Sequence, residues 1–161
     1  MYTRLLFIAL VFFCLCACKQ AAPNNAKFSA EELAEQQQAW DTMMEGHDRA
    51  MPLMNELYQA AAQIEEIVES TQAQSDNTHP EALAHLQNLE TAIDGMMDWM
   101  AGITDNPLSS LRERYPDHAA VMAAIDKETT DILQVEEMMN TSLKEAKEFL
   151  ATRQADNEPA Q

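Results

Sequence analysis

Residues 43–54 read Met-Met-Glu-Gly-His-Asp-Arg-Ala-Met-Pro-Leu-Met, and they decide the fold. Apolar positions recur on both sides of this stretch at heptad spacing: Leu33, Trp40, His47, Met54, Ala61 and Val68. Met43, Ala50, Leu57 and Ile64 flank that row on one side, and Met44, Met51 and Tyr58 on the other. Such a stripe is the mark of an amphipathic helix, here running to about residue 72. Pro52 interrupts it. Proline has no N–H and its ring clashes with the carbonyl four residues back, that of Asp48, so the helix is predicted to kink or restart there. Gly46 is expected to loosen the same turn.

Upstream, Ser29 followed by Glu31 and Glu32 reads as a helix start, with Ser29 as N-cap and acids in the first turn. Downstream, Ser75 to Thr78 form a turn and Pro80 opens a second helix. That helix carries Leu86, Leu89, Ile93, Met96, Met100 and Ile103 on one seam, with Asp94 and Asp98 pointing away. Gly102 and Asn106-Pro107 end it. Residues 104–116 form a connector with one short helical turn over Leu108 to Arg114. Pro116 and Asp117 open a third helix with a stripe from Val121 through Ile125, Ile132, Val135, Met139 and Leu143 to Phe149. Regular alternation is absent, so no strand is predicted. The fold class is all-α, an up-down-up three-helix bundle with a long, kinked first helix. The first helix overhangs the second. Either Leu108, Leu111 and Tyr115 cover the overhang, or the first helix folds back at Pro52.

Composition narrows the function. The chain has 10 Lys and Arg against 27 Asp and Glu, a formal charge of −17. That excludes nucleic acid, whose binding needs clustered cations, and gives no attraction to anionic lipid headgroups. There is no defensible Ser/His/Asp set, no Gly-rich phosphate loop and no HExxH motif. The paired acids, such as Glu65-Glu66 and Glu136-Glu137, read as solvated faces. No enzymatic activity is expected.

The N-terminus supplies an address. Arg4 precedes an apolar run from Leu5 to Leu15 that is too short to span a bilayer, so residues 1–17 read as a signal peptide. Leu15-Cys16-Ala17-Cys18 resembles the lipobox of bacterial lipoproteins. The resemblance implies cleavage before Cys18, diacylation of its sulfur, acylation of the new N-terminus and attachment to membrane through that lipid. Removing Arg4 from the count of 10 basic and 27 acidic residues leaves a formal charge of −18. Cys14 and Cys16 leave with the leader, so thiol chemistry and internal disulfides are excluded. Residues 18–28 read as a lipid tether, 29–154 as the helical bundle and 155–161 as a disordered tail. Lys19 follows the cysteine where Asp would mark inner-membrane retention, which by the same resemblance favours the outer membrane of a bacterial envelope.

One constellation has possible chemistry. His47, Met51 and Met54 fall at i, i+4 and i+7 on one helical face. Antiparallel pairing about a turn centred near residue 77 places Met100 across from Met54 and brings Met96, His118 and Met122 to the same level. Thioether and imidazole ligands suit Cu(I), so His47, Met51, Met54 and Met100 are candidate copper(I) ligands. Methionine is also a flexible core filler, and a Met stripe at helical spacing is usually core; the lining of an apolar pocket is the remaining alternative. Asp48 adjoins His47 but is not expected to face it. His79 and His85 read as surface residues.

The segments His47-Asp48-Arg49-Ala50-Met51-Pro52 and Met96-Met97-Asp98-Trp99-Met100 resemble an uncharacterised family of bacterial lipoproteins, some described as "viral A-type inclusion protein", with a His-Asp-x-x-Met-Pro helix and a Met-Met-x-Trp-Met helix. The likeness covers roughly residues 40–103 and implies no activity. A weaker similarity is to a bacterial helical family with a Met-x-x-His-His helix suspected of copper handling; Asp48 stands where its second His would be. The expected function is a non-catalytic, lipid-anchored envelope module that binds an unknown protein or ligand, with Cu(I) binding or buffering as the alternative.

Overall fold

The computed structural model describes residues 27–74 and 79–157. Residues 1–17, Cys18 and the tether up to residue 26 lie outside the described residues, as do the expected turn at 75–78 and residues 158–161. Every regular element described is α-helix: α1 Ala30–Ala50, α2 Leu53–Gln74, α3 Pro80–Asp105, α4 Leu108–Arg114 and α5 His118–Asn157. The described residues are therefore all-helical with a long, kinked first arm; the restart after Pro52 and the short helix over Leu108–Arg114 bring the helices among them to five.

The kink has the expected cause. The Met51 N–H still donates to the His47 carbonyl at 2.9 Å, and α1 stops there. Pro52 has no N–H to continue the ladder, and α2 restarts at Leu53. The α1 start is a capping box: the Ser29 hydroxyl accepts from the Glu32 N–H at 3.2 Å, and Glu32 Oε2 accepts from the Ser29 N–H at 2.8 Å.

α1 and then α2 run alongside α5 in the same direction: Gln36 meets His118, Arg49 meets Glu136 and Glu56 meets Lys147. α3 returns antiparallel, with Trp99 against Glu128 and His79 against Arg153. The buried seam of the first arm is a strict heptad row, Gln36, Met43, Ala50, Leu57 and Ile64, each fully buried. This corrects the expected centre of the stripe: Leu33 and Tyr58 are 37% and 53% exposed. α3 contributes Leu89, Ala92, Ile93, Met96 and Trp99, and α5 contributes Val121 through Phe149.

Gly46 does not loosen its turn. It is buried, and a Cβ built on it would lie 3.2 Å from Ile132 Cγ2, so it is where α1 and α5 approach closely. Of the two ways to cover the overhang, the structure takes the first. α4 buries Leu108 and Leu111, and its Arg112 reaches α1, Nε donating to Gln36 Oε1 at 2.8 Å and Nη2 to the Leu33 carbonyl at 2.9 Å. The tether's last residues are not free. Phe28 is buried in the core, and Lys27 Nζ donates to the Arg112 and Glu113 carbonyls at 2.7 and 3.2 Å. α5 also continues past the expected end at 154 to Asn157.

Candidate functional site

Two regions merit description. The first surrounds His47. Its ring stacks on Trp99, with centroids 5.8 Å apart and planes 27° from parallel. This contact corrects the register. Near the end of α3, the facing residue is His47 rather than Met54, a displacement of about two turns. His47 and Met100 therefore share a level, and Met51 sits one turn on at the helix break, 36% exposed. Met54 is buried on the core side, so His47, Met51 and Met54 do not share one exposed face. His118 does not join them. It pairs with Gln36, about three turns from His47 along α1, and Met122 lies beside Ala39 and Thr42.

Asp48 does meet His47, contrary to expectation. Its Oδ1 lies 3.0 Å from His47 Nδ1, the short aspartate side chain bending back along the helix surface. An ionised carboxylate only accepts, so Nδ1 carries the hydrogen and Nε2 keeps a bare lone pair in the neutral ring. Among the described residues, no group of three or more His, Cys, Asp or Glu side chains could hold a metal.

The second region is an open groove between α3 and α5 with a volume of about 570 Å³. Asn88 and Thr91 line it from α3. Thr130, Leu133, Met138 and Thr141 line it from α5, and Glu137 and Glu145 stand in its wall. Its exposed surface is mostly carbon. Leu133 is 47% exposed, and Met138 reaches across to α3, where its Cε lies 2.8 Å from a Cβ built on Gly95. The absence of a side chain at Gly95 thus gives Met138 its seat. No Lys or Arg lines the groove. The sequence carried one signal for it, Leu133, an apolar residue off the core stripe and next to Ile132.

Sequence reasoning missed other polar contacts. Glu136 is not simply solvated: Arg49 grips it with Nε at 3.2 Å and Nη2 at 2.9 Å, and this pairing pushes the Arg49 pKa up. His79 caps α3 by accepting from the Ala82 N–H at 3.4 Å, and Arg153 Nη1 lies 2.7 Å from its Nε2. His85 tilts over Phe149 at 5.0 Å, and its buried Nδ1 finds no partner among the described residues. Neither is a plain surface histidine. No helix among the described residues is long and apolar enough to cross a membrane.

Comparison with known proteins adds no family: no family model, curated protein or solved structure matches the chain.

Proposed function

We propose that this chain is a non-catalytic helical interaction module of the bacterial envelope, an up-down-up three-column bundle held at the outer membrane by lipid on Cys18, with the α3–α5 groove as its docking face. The observation that carries the reading is the groove itself: it runs along two long helices, is mostly carbon, and leaves Leu133 half-exposed. A photo-crosslinking residue at position 133 of the membrane-borne protein should give one discrete protein adduct, and the same residue at position 65 on α2 should not. Equal or absent adducts at the two positions would sink the reading. The anchor has its own test: Cys18→Ser should release the protein from membranes.

A second reading, Cu(I) binding, is favoured by one observation. Asp48 holds His47 Nδ1, the arrangement by which a carboxylate orients an imidazole and leaves Nε2 available to a metal. His47 and Met100 would supply the first ligands, with Met51 from the next turn, a soft donor set suited to Cu(I); Met54, buried on the core side, falls outside this set. A Cu(I) competition titration on the chain from residue 18 onward with Cys18→Ser, which leaves no thiol to compete, decides it. Affinity that is absent, or unchanged in His47→Ala combined with Met51→Leu and Met100→Leu, removes copper from consideration.

A further inference from the structure

The α3–α5 groove has a shape and a charge, and together they select an occupant. Its α5 wall runs from Thr130 to Glu145, about 22 Å or four helical turns. Leu133 and Met138 form its apolar part, one turn and a half apart. A partner helix lying along it would meet them, about 7.5 Å apart along the axis, with apolar residues four to five positions apart. Thr91, Thr130 and Thr141 keep the walls low, offering methyl groups to a close-packed neighbour.

The charge is one-sided. Glu137 and Glu145 are exposed and flank the carbon surface, no cation lines it, and Asp98 continues the α3 wall beyond Thr91 and Gly95 at helical spacing. The whole chain carries −17. A second copy docking by twofold symmetry would set Glu137 and Glu145 against their own counterparts, which like-charge repulsion disfavours. Anionic lipid is disfavoured for the same reason.

Resting on the docking reading above, we propose that the groove receives a basic amphipathic helix of about four turns, whose apolar seam covers Leu133 and Met138 and whose Lys or Arg residues face Glu137 and Glu145.

The probe is a fluorescent Leu/Lys amphipathic peptide of about 18 residues, titrated by anisotropy into the Cys18→Ser chain in about 0.15 M salt, where the Debye length is about 8 Å. Saturable binding is expected. Leu133→Asp, and separately Glu137→Lys with Glu145→Lys, should each weaken it about tenfold. Glu65→Lys with Glu69→Lys on exposed α2 changes net charge equally and should weaken it far less. Thermal melts confirm that each variant is folded. Equal loss for the two charge-reversal pairs overturns the proposal, because generic attraction to a polyanion then explains binding. If a Leu/Gln peptide binds as tightly and with the same dependence on Leu133, the groove is a docking face but not for a basic helix. If the chain dimerises through Leu133 in sedimentation, the occupant is a second copy and the proposal falls. If no peptide shows dependence on Leu133, the proposal and the docking reading fall together.

Discussion

Gln36 and Arg112 are 76 positions apart in sequence, and their side chains meet at 2.8 Å, Arg112 Nε donating to Gln36 Oε1. Gln36 is fully buried. Its amide also donates from Nε2 to His118 Nδ1 at 3.2 Å, which leaves His118 Nε2–H for Glu35 at 3.2 Å. One amide thus joins α1, α4 and α5 and satisfies both its halves. Removing it strands the Arg112 and His118 atoms that face it. Gln36→Ala should therefore cost about 2 kcal/mol in urea denaturation, whereas the same change at exposed Gln37 should cost little. A cycle of Gln36→Ala and Arg112→Ala should show the two losses to be non-additive.

That contact also marks the limit of what could be read from hydropathy. The seam Gln36–Met43–Ala50–Leu57–Ile64 is an unbroken heptad row of fully buried positions. A scan for apolar residues cannot start it, because its first member is polar and its burial depends on Arg112 and His118 from distant segments. Apolar residues alone instead centre the stripe on Leu33, Trp40 and His47, one face round. The break at Pro52, the Ser29 cap and the short helix over Leu108–Arg114 were legible, because each follows from local backbone chemistry. The level of Met100 against the first arm was not. It depends on how the two halves of the first arm, either side of the break at Met51-Pro52, pack against α3, and the His47–Trp99 stack shows the level they reach.

Glycine substitutions separate close approach from idle flexibility. A Cβ at Gly46 would lie 3.2 Å from Ile132 Cγ2, while one at Gly102 meets nothing within 4 Å. Gly102→Ala should stabilise the protein by about 0.5–1 kcal/mol through helix propensity alone. Gly46→Val should destabilise it by about 1–3 kcal/mol, since the branch drives α1 off α5. Thermal melts of the two variants should move in opposite directions.

The capping box makes the start of α1 sensitive to acid. The Ser29 N–H, and then its hydroxyl side chain, hold the Glu32 pKa below the ordinary glutamate value of 4.5. A depressed pKa means the charged form is favoured in the folded helix. The contribution is therefore fully present above the ordinary value and fades as pH falls through the lowered one. Following the Glu32 carboxyl by NMR titration should show this low pKa. In Ser29→Gly, which keeps the N–H but removes the hydroxyl, the value should rise only part of the way back, because the backbone hydrogen bond is the larger cause.

Phe28 ties the tether to the domain. It is 7% exposed and belongs to the core, while Lys27 beside it caps the last carbonyls of α4. Burial of the aromatic ring outweighs the two exposed hydrogen bonds. Phe28→Ala should thus cost about 3 kcal/mol, and Lys27→Ala less than about 1 kcal/mol, both measured by urea denaturation. Phe28→Ala should also speed amide exchange in α4 and in the first turn of α1, because Phe28 leads directly into Ser29 and Lys27 holds the end of α4. If both variants unfold at the wild-type urea concentration, residues 27 and 28 are linker rather than domain.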